Sequence, residues 1–207
     1  MANKVVTGTI EVICGCMFSG KTEELIRVLK RALIAKQNVL VFKHSSDIRY
    51  SESELYSHNS QKISSRLISN ISEILLQNLD QIDVIGIDEA QFFSDDIVDV
   101  IEQLMDKGIR VVIAGLDLDY KRRPFGCMPK ILAIANKVKK LTAICSNCGD
   151  EAYYSQRLIK NEELVLVGTS EWYEPRCRKH HKIKDQVEKT FQVIQNFDSN
   201  LIEDRKM

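Results

Sequence analysis

The sequence has no surplus of either charge: 29 Lys and Arg stand against 29 Asp and Glu, a formal net charge of zero. Proteins that coat DNA or RNA carry a basic excess, so that class is disfavoured, while a local basic patch stays open. No apolar run approaches the ~20 residues that a membrane-spanning helix needs. The stretch from Met1 to Thr9 is short and polar, without the apolar core of a secretory signal, and the expectation is a cytoplasmic protein. Internal repeats and low-complexity tracts are also missing. Cysteine is sparse, six in 207 residues, too few to serve as a disulfide scaffold in a chain of this length.

What is there is the composition of an ordinary folded protein, 44% hydrophobic and 28% charged. The length suits one medium domain, or one domain with a small appendage. Short β-branched runs at 9–14, 39–42, 84–87 and 111–114 read as strands. Between them, apolar residues at helical spacing (Leu25, Ile26, Leu29, Leu33 and Ile34 in the first case) predict helices over 21–36, 71–79, 95–107 and 129–137. Buried strands alternating with helices predict an α/β fold, a parallel sheet flanked by helices. The polar stretch 44–62 reads as a long loop. After Leu141 the pattern changes to cysteines, tyrosines and short alternating strands at 152–158 and 164–167. The expected division is 1–141 as a nucleotide-binding α/β domain, 142–184 as a small β-rich unit, and 185–207 as a peripheral or disordered tail.

Three motifs carry chemistry. Gly15-Cys16-Met17-Phe18-Ser19-Gly20-Lys21-Thr22 fits the phosphate-loop pattern G-x-x-x-x-G-K-S/T, between a predicted strand and a predicted helix. Its glycines let backbone N–H groups curl around an anion, and the helix adds its positive end. Lys21 reaches β- and γ-phosphates, and the Thr22 hydroxyl suits Mg²⁺. Second, Asp88 and Glu89 end the strand from Val84, at the sheet edge where ligands bind in open parallel sheets. Asp88 suits a Mg²⁺ role. Glu89 suits a general base toward an acceptor hydroxyl, or a residue that polarises water in an ATPase. The bland alternative is that both cap the next helix. Third, Cys145-x-x-Cys148 and Cys177-x-x-His180 are two knuckles suited to a closed tetrahedral zinc site, structural because no position is left for water. His181 competes with His180 as the fourth ligand. Cys14 reads as a small buried hydrophobe.

Aromatics flank these motifs. Phe92 and Phe93 follow the acidic pair, and Leu116 to Gly126 contains Tyr120, Lys121, Arg122, Arg123 and Phe125. Core packing is the default for the rings and solvated surface for the basic run, with a ring-binding site and phosphate contact as the functional readings.

Together these segments resemble the cytosolic, type II thymidine kinases. The resemblance rests on residues 15–22, on Asp88-Glu89-Ala90-Gln91-Phe92-Phe93, on Gly115-Leu116-Asp117 with Arg123-Pro124-Phe125-Gly126, and on the paired knuckles with Tyr173 between them; it runs from about Thr9 to about Lys182. It implies a phosphate-loop α/β domain carrying a zinc-anchored lasso, and transfer of the γ-phosphoryl of ATP to the 5′-hydroxyl of thymidine, or of deoxyuridine. By resemblance Glu89 is the base. Gly15, Met17, Phe18, Ser19, Gly20, Lys21, Thr22, Asp47, Arg49, Asp88 and Gln91 face ATP and Mg²⁺. Met17, Phe92, Leu116, Tyr120 and Phe125 surround the thymine, and Ser155, Leu164, Leu166, Gly168 and Tyr173 are lasso contacts. The resemblance also implies a homotetramer inhibited by thymidine triphosphate. A zinc-ribbon ATPase acting on nucleic acid is the competing reading of the same motifs.

Overall fold

Strands as apolar as Ile10–Cys14 and Val84–Ile87 can be buried on both faces only if helices cover both sides of the sheet they form. A computed structural model describes residues 7–46, 54–56, 62–159 and 172–183, and it has that arrangement. Six parallel strands stand in the order β5 (Arg66–Ile68), β2 (Val39–His44), β6 (Val84–Asp88), β7 (Arg110–Gly115), β1 (Thr9–Gly15) and β8 (Lys137–Leu141). The middle strands β6, β7 and β1 are almost wholly buried.

The two faces follow from residue parity along each strand. On one face, Ile13, Val41, Val84, Val112 and Ala114 pack against Leu25, Ile26, Val28, Leu29 and Ala32 of α1 (Lys21–Ile34). On the other, Ile10, Val12, Ile85, Ile87, Val111 and Ile113 meet α2 (Ile97–Asp106) and α3 (Met128–Ile134). Gly86 lets α1 come close: a Cβ there would lie 2.6 Å from the Leu29 Cδ1 atom. Ion pairs tie the sheet edge down. Glu11 binds Arg110 and Lys137, Glu24 of α1 binds Lys139, and Asp117 binds Lys140.

Beyond β8 the chain makes paired two-stranded units. β9 (Ala143–Ile144) pairs with β10 (Glu151–Ala152), and β11 (Tyr154–Arg157) with β12 (Tyr173–Arg176). β3 (Glu54–Tyr56) and β4 (Lys62–Ser64) form another antiparallel pair inside the stretch that the sequence presents as loop. Three further expectations are corrected. The helix expected over 129–137 ends at Ile134, and Lys137 begins β8, whose Lys137, Lys139 and Lys140 suit an edge strand facing ion-pair partners. The segment 71–79 forms a 3₁₀ turn, Ile71–Leu76, held by a reciprocal cap in which Ser72 N–H donates to Asn70 and Asn70 N–H donates to Glu73. The run 152–158 is broken at Tyr153 into β10 and β11. The expected strand at 164–167 and the expected tail lie outside the described residues. No helix among the described residues is long and apolar enough to cross a membrane.

Leu29 is fully buried between α1 and the sheet. Leu29→Ala is expected to cost ~2–5 kcal/mol of stability, read as a fall in the urea midpoint with an unchanged slope.

Candidate functional site

The end of β1 turns sharply into α1. Gly15, Phe18 and Gly20 all adopt positive φ, at 142°, 65° and 79°. At Gly15 the turn needs glycine, because a Cβ would meet the Leu141 carbonyl oxygen at 2.3 Å. Phe18 has no such freedom, so its backbone is held by what surrounds it. Ser19 donates to the Cys16 carbonyl at 2.8 Å, and so does the Lys21 ammonium, also at 2.8 Å. Lys21 thus lies over the loop, at the first residue of α1.

Across the loop stands the end of β6. The Thr22 hydroxyl is 3.1 Å from the Asp88 carboxylate. Asp88 is buried; burial, and then the Glu89 carboxylate beside it, push its pKa well above the usual carboxylate range, against the opposing pull of Lys43. Lys43 is itself buried and sits opposite Asp88 in the β2–β6 register. Sequence reading did not single it out; the available signal was a lysine ending an apolar strand beside the one that carries the acids. Glu89 takes a left-handed backbone, φ 55°, a conformation costing a non-glycine residue ~1–3 kcal/mol. On its other side the Gln91 amide donates to the Glu89 carboxylate at 2.6 Å.

The loop after β7, residues 116–127, forms the next wall. Asp119 shapes it by accepting from the N–H groups of Lys121 and Arg123, each at 2.8 Å. Phe125 and Phe92 meet edge to face at 6.0 Å, and His44 packs edge-on to Phe93 at 4.6 Å. Of the expected thymine-side residues, Met17, Phe92, Leu116 and Tyr120 are partly exposed and Phe125 is buried. Tyr120 lies under the Arg157 guanidinium, 3.7 Å from its ring centre, and Arg157 also donates to the Tyr173 hydroxyl at 2.6 Å. Arg157 is a buried cation that the sequence reading passed over. Its signal was parity, since period two along Tyr154–Arg157 puts it on the same inward face as Ser155.

Ser155 is placed against the phosphate loop: its hydroxyl accepts from Met17 N–H at 2.9 Å. Nearby, the Cys16 thiol donates to the Ala152 carbonyl at 3.3 Å, and Cys16 and Phe18 pack with Ala143, Cys145, Ala152 and Cys177. The knuckle unit and the phosphate loop therefore share one small core. Asp47, Arg49, Leu164, Leu166 and Gly168 lie outside the described residues.

Cys145, Cys148, Cys177 and His180 bring one ligand atom each within 4.8 Å of one another. The Cys148–Cys177 sulfur distance is 3.7 Å, and His180 Nδ1 lies 3.7 and 3.3 Å from the sulfurs of Cys145 and Cys177. Zn–S bonds of ~2.3 Å in a tetrahedron put sulfurs ~3.8 Å apart, so the cluster fits a structural zinc ion. His181 points elsewhere. Its Nδ1 accepts from Arg122 at 2.9 Å and its Nε2 faces the Ser155 carbonyl at 3.3 Å. Burial, then the Arg122 guanidinium, hold its pKa down at about 4, so it is neutral at pH 7. The fourth member of the cluster is His180, not His181.

With this geometry in place, comparison with known proteins gives a consistent result. The thymidine kinase family model matches residues 8–181. The chain belongs to the thymidine kinase family. A thymidine kinase of Bacteroides thetaiotaomicron is 56% identical over 171 residues, 83% of this chain and 85% of that protein. One from Porphyromonas gingivalis is 51% identical over 177 residues, 86% of each. The thymidine kinase family implies Mg²⁺ at the phosphates. Neighbouring oxygens of an octahedral Mg²⁺ shell lie ~3.0 Å apart, given bonds of ~2.1 Å, and the Thr22–Asp88 spacing of 3.1 Å fits.

Freshly purified protein is expected to contain one zinc per chain by metal analysis. Cys148→Ser or His180→Ala should lower that content, while His181→Ala should leave it unchanged. Zinc loss on His181→Ala alone would reverse the ligand assignment.

Proposed function

We propose that this protein transfers the γ-phosphoryl group of ATP to the 5′-hydroxyl of thymidine, giving thymidine monophosphate and ADP. The observation that carries the reading is the pairing of a phosphate loop with Glu89, a carboxylate on a strained left-handed backbone one residue after Asp88. Glu89 is joined through the Gln91 amide to Leu116 N–H at the start of the loop after β7, a placement that suits an acceptor hydroxyl held by that loop.

In this reading Lys21 and the loop N–H groups bind the β- and γ-phosphates, with Asp47 and Arg49 assisting. Thr22 and Asp88 hold Mg²⁺, which when bound neutralises phosphate charge and orients the transferred group. Glu89 accepts the 5′-hydroxyl proton as the bond from that oxygen to the γ-phosphorus forms and the bond to ADP breaks. Met17, Phe92, Leu116, Tyr120 and Phe125 enclose the thymine. Leu164, Leu166, Gly168 and Tyr173 belong to a lasso over the base, pinned by the zinc site, and Ser155 joins that lasso to the phosphate loop through Met17 N–H. A lid of this kind excludes water, which otherwise competes with the alcohol for the phosphoryl group.

The proposal extends to deoxyuridine as a second acceptor, inhibition by thymidine triphosphate, a homotetramer, a cytoplasmic location, no nucleic-acid partner, and the division into 1–141, 142–184 and 185–207. Family membership supports the first four; the neutral net charge supports the absence of a nucleic-acid partner, and the change of pattern after Leu141 supports the division.

The test is an acceptor panel. Protein, γ-labelled ATP and Mg²⁺ are incubated with thymidine, deoxyuridine, deoxycytidine, purine nucleosides or water alone. Label is expected on thymidine and deoxyuridine, and not on deoxycytidine or purines. Label released only to water, faster with DNA present, would select the zinc-ribbon ATPase. Glu89→Gln is expected to keep ATP binding and lower turnover ~10²-fold or more; turnover within a few-fold of the unaltered protein would remove Glu89 from the role of base.

A further inference from the structure

Gln91 is only 3% exposed and lies between the two walls of the site. Its Oε1 accepts from Leu116 N–H at 2.9 Å, and its Nε2 donates to Glu89 Oε2 at 2.6 Å. A backbone N–H can only donate, so the Leu116 bond settles which end of the amide is oxygen. The NH₂ end must then face Glu89. A carboxylate accepts and cannot repel that donor, so the two bonds agree.

The surrounding backbone is shaped to this residue, to its side chain at Gly115 and to its main chain at Gly126. A Cβ at Gly115 would stand 3.0 Å from Gln91 Oε1 and 2.6 Å from the Met128 sulfur. At Gly126, whose φ is +50°, a Cβ would come within 2.2 Å of the Gln91 carbonyl oxygen. Both ends of the loop after β7 thus close directly on Gln91. Rotation of its amide would break the bond to Leu116 and the bond to Glu89 together.

We infer that Gln91 is a positioning residue for Glu89: it fixes the carboxylate against the nucleoside-side loop rather than contacting ATP. This rests on the reading of Glu89 as base in the proposed kinase. The loop that encloses the base of the nucleoside and the group that accepts its proton are set in one register by a single amide. A shift of the loop at Leu116 displaces the carboxylate with it.

Two substitutions separate the bonds. Gln91→Glu keeps the size and an acceptor for Leu116 N–H, but puts an oxygen against the Glu89 carboxylate. Gln91→Met keeps the length and removes both bonds. Each is expected to lower kcat for thymidine phosphorylation about 10- to 100-fold with the KM for ATP within about twofold, the scale of a small misplacement of a reacting group. In the Glu89→Gln background the same changes are expected to cost less than about twofold, because their effect runs through the carboxylate. Equal losses in both backgrounds, a KM effect confined to ATP, or losses below twofold with Glu89 intact would overturn the inference. If the unaltered protein moves no phosphoryl group to a nucleoside, the functional reading falls and this inference with it. If it does, and Gln91 variants match it, only this inference falls.

Discussion

A phosphate loop is a backbone device, and backbone bent through three positive φ angles within six residues does not hold its shape alone. Here two supports hold it. One is β1, locked between β7 and β8 in the sheet. The other is the zinc-knuckle unit, which accepts Met17 N–H on the Ser155 hydroxyl and packs Cys145, Ala152 and Cys177 against Cys16 and Phe18. The strained φ of Phe18, 65°, is intelligible only with that second support in place. Everything on the nucleotide side depends on this clamp, since Lys21 and Thr22 take their positions from the same turn.

The loop after β7 is built on a matching plan. It is held from within by Asp119 and from without by the knuckle unit. Arg122, itself at φ 63°, donates to His181, the residue next to the zinc ligand His180. Arg157 stacks on Tyr120 and donates to Tyr173. The unit that carries the cluster of three cysteines and one histidine thus braces the phosphate loop on one side and the loop after β7 on the other. A buried cation between two tyrosine rings also gains cation–π stabilisation, ~2 kcal/mol or more when desolvated, which offsets part of the cost of burying Arg157.

Much of this was legible in the sequence because the signals were local. The phosphate loop, the acidic pair and the knuckles are short motifs whose chemistry follows from residue type and spacing. The central strands announced themselves by unbroken apolar runs. What was hidden depends on partners far along the chain. β8 reads as a charged segment until Glu11, Glu24 and Asp117 are found beside its lysines. Ser155, matched by resemblance to a contact with the base, lies against the phosphate loop, and no spacing could reveal the Met17 N–H that it accepts. Spacing favours His180 over its competitor His181, and the fold turns the first toward the sulfurs and the second toward Arg122.

Ser155→Ala with titration of both ligands tests the clamp most directly. The account predicts that ATP binds several-fold to about tenfold more weakly by calorimetry, the ~1–1.5 kcal/mol of one lost hydrogen bond, with the KM for thymidine within about twofold. Unchanged ATP affinity, or a loss confined to thymidine, would contradict it and return Ser155 to the base-binding side.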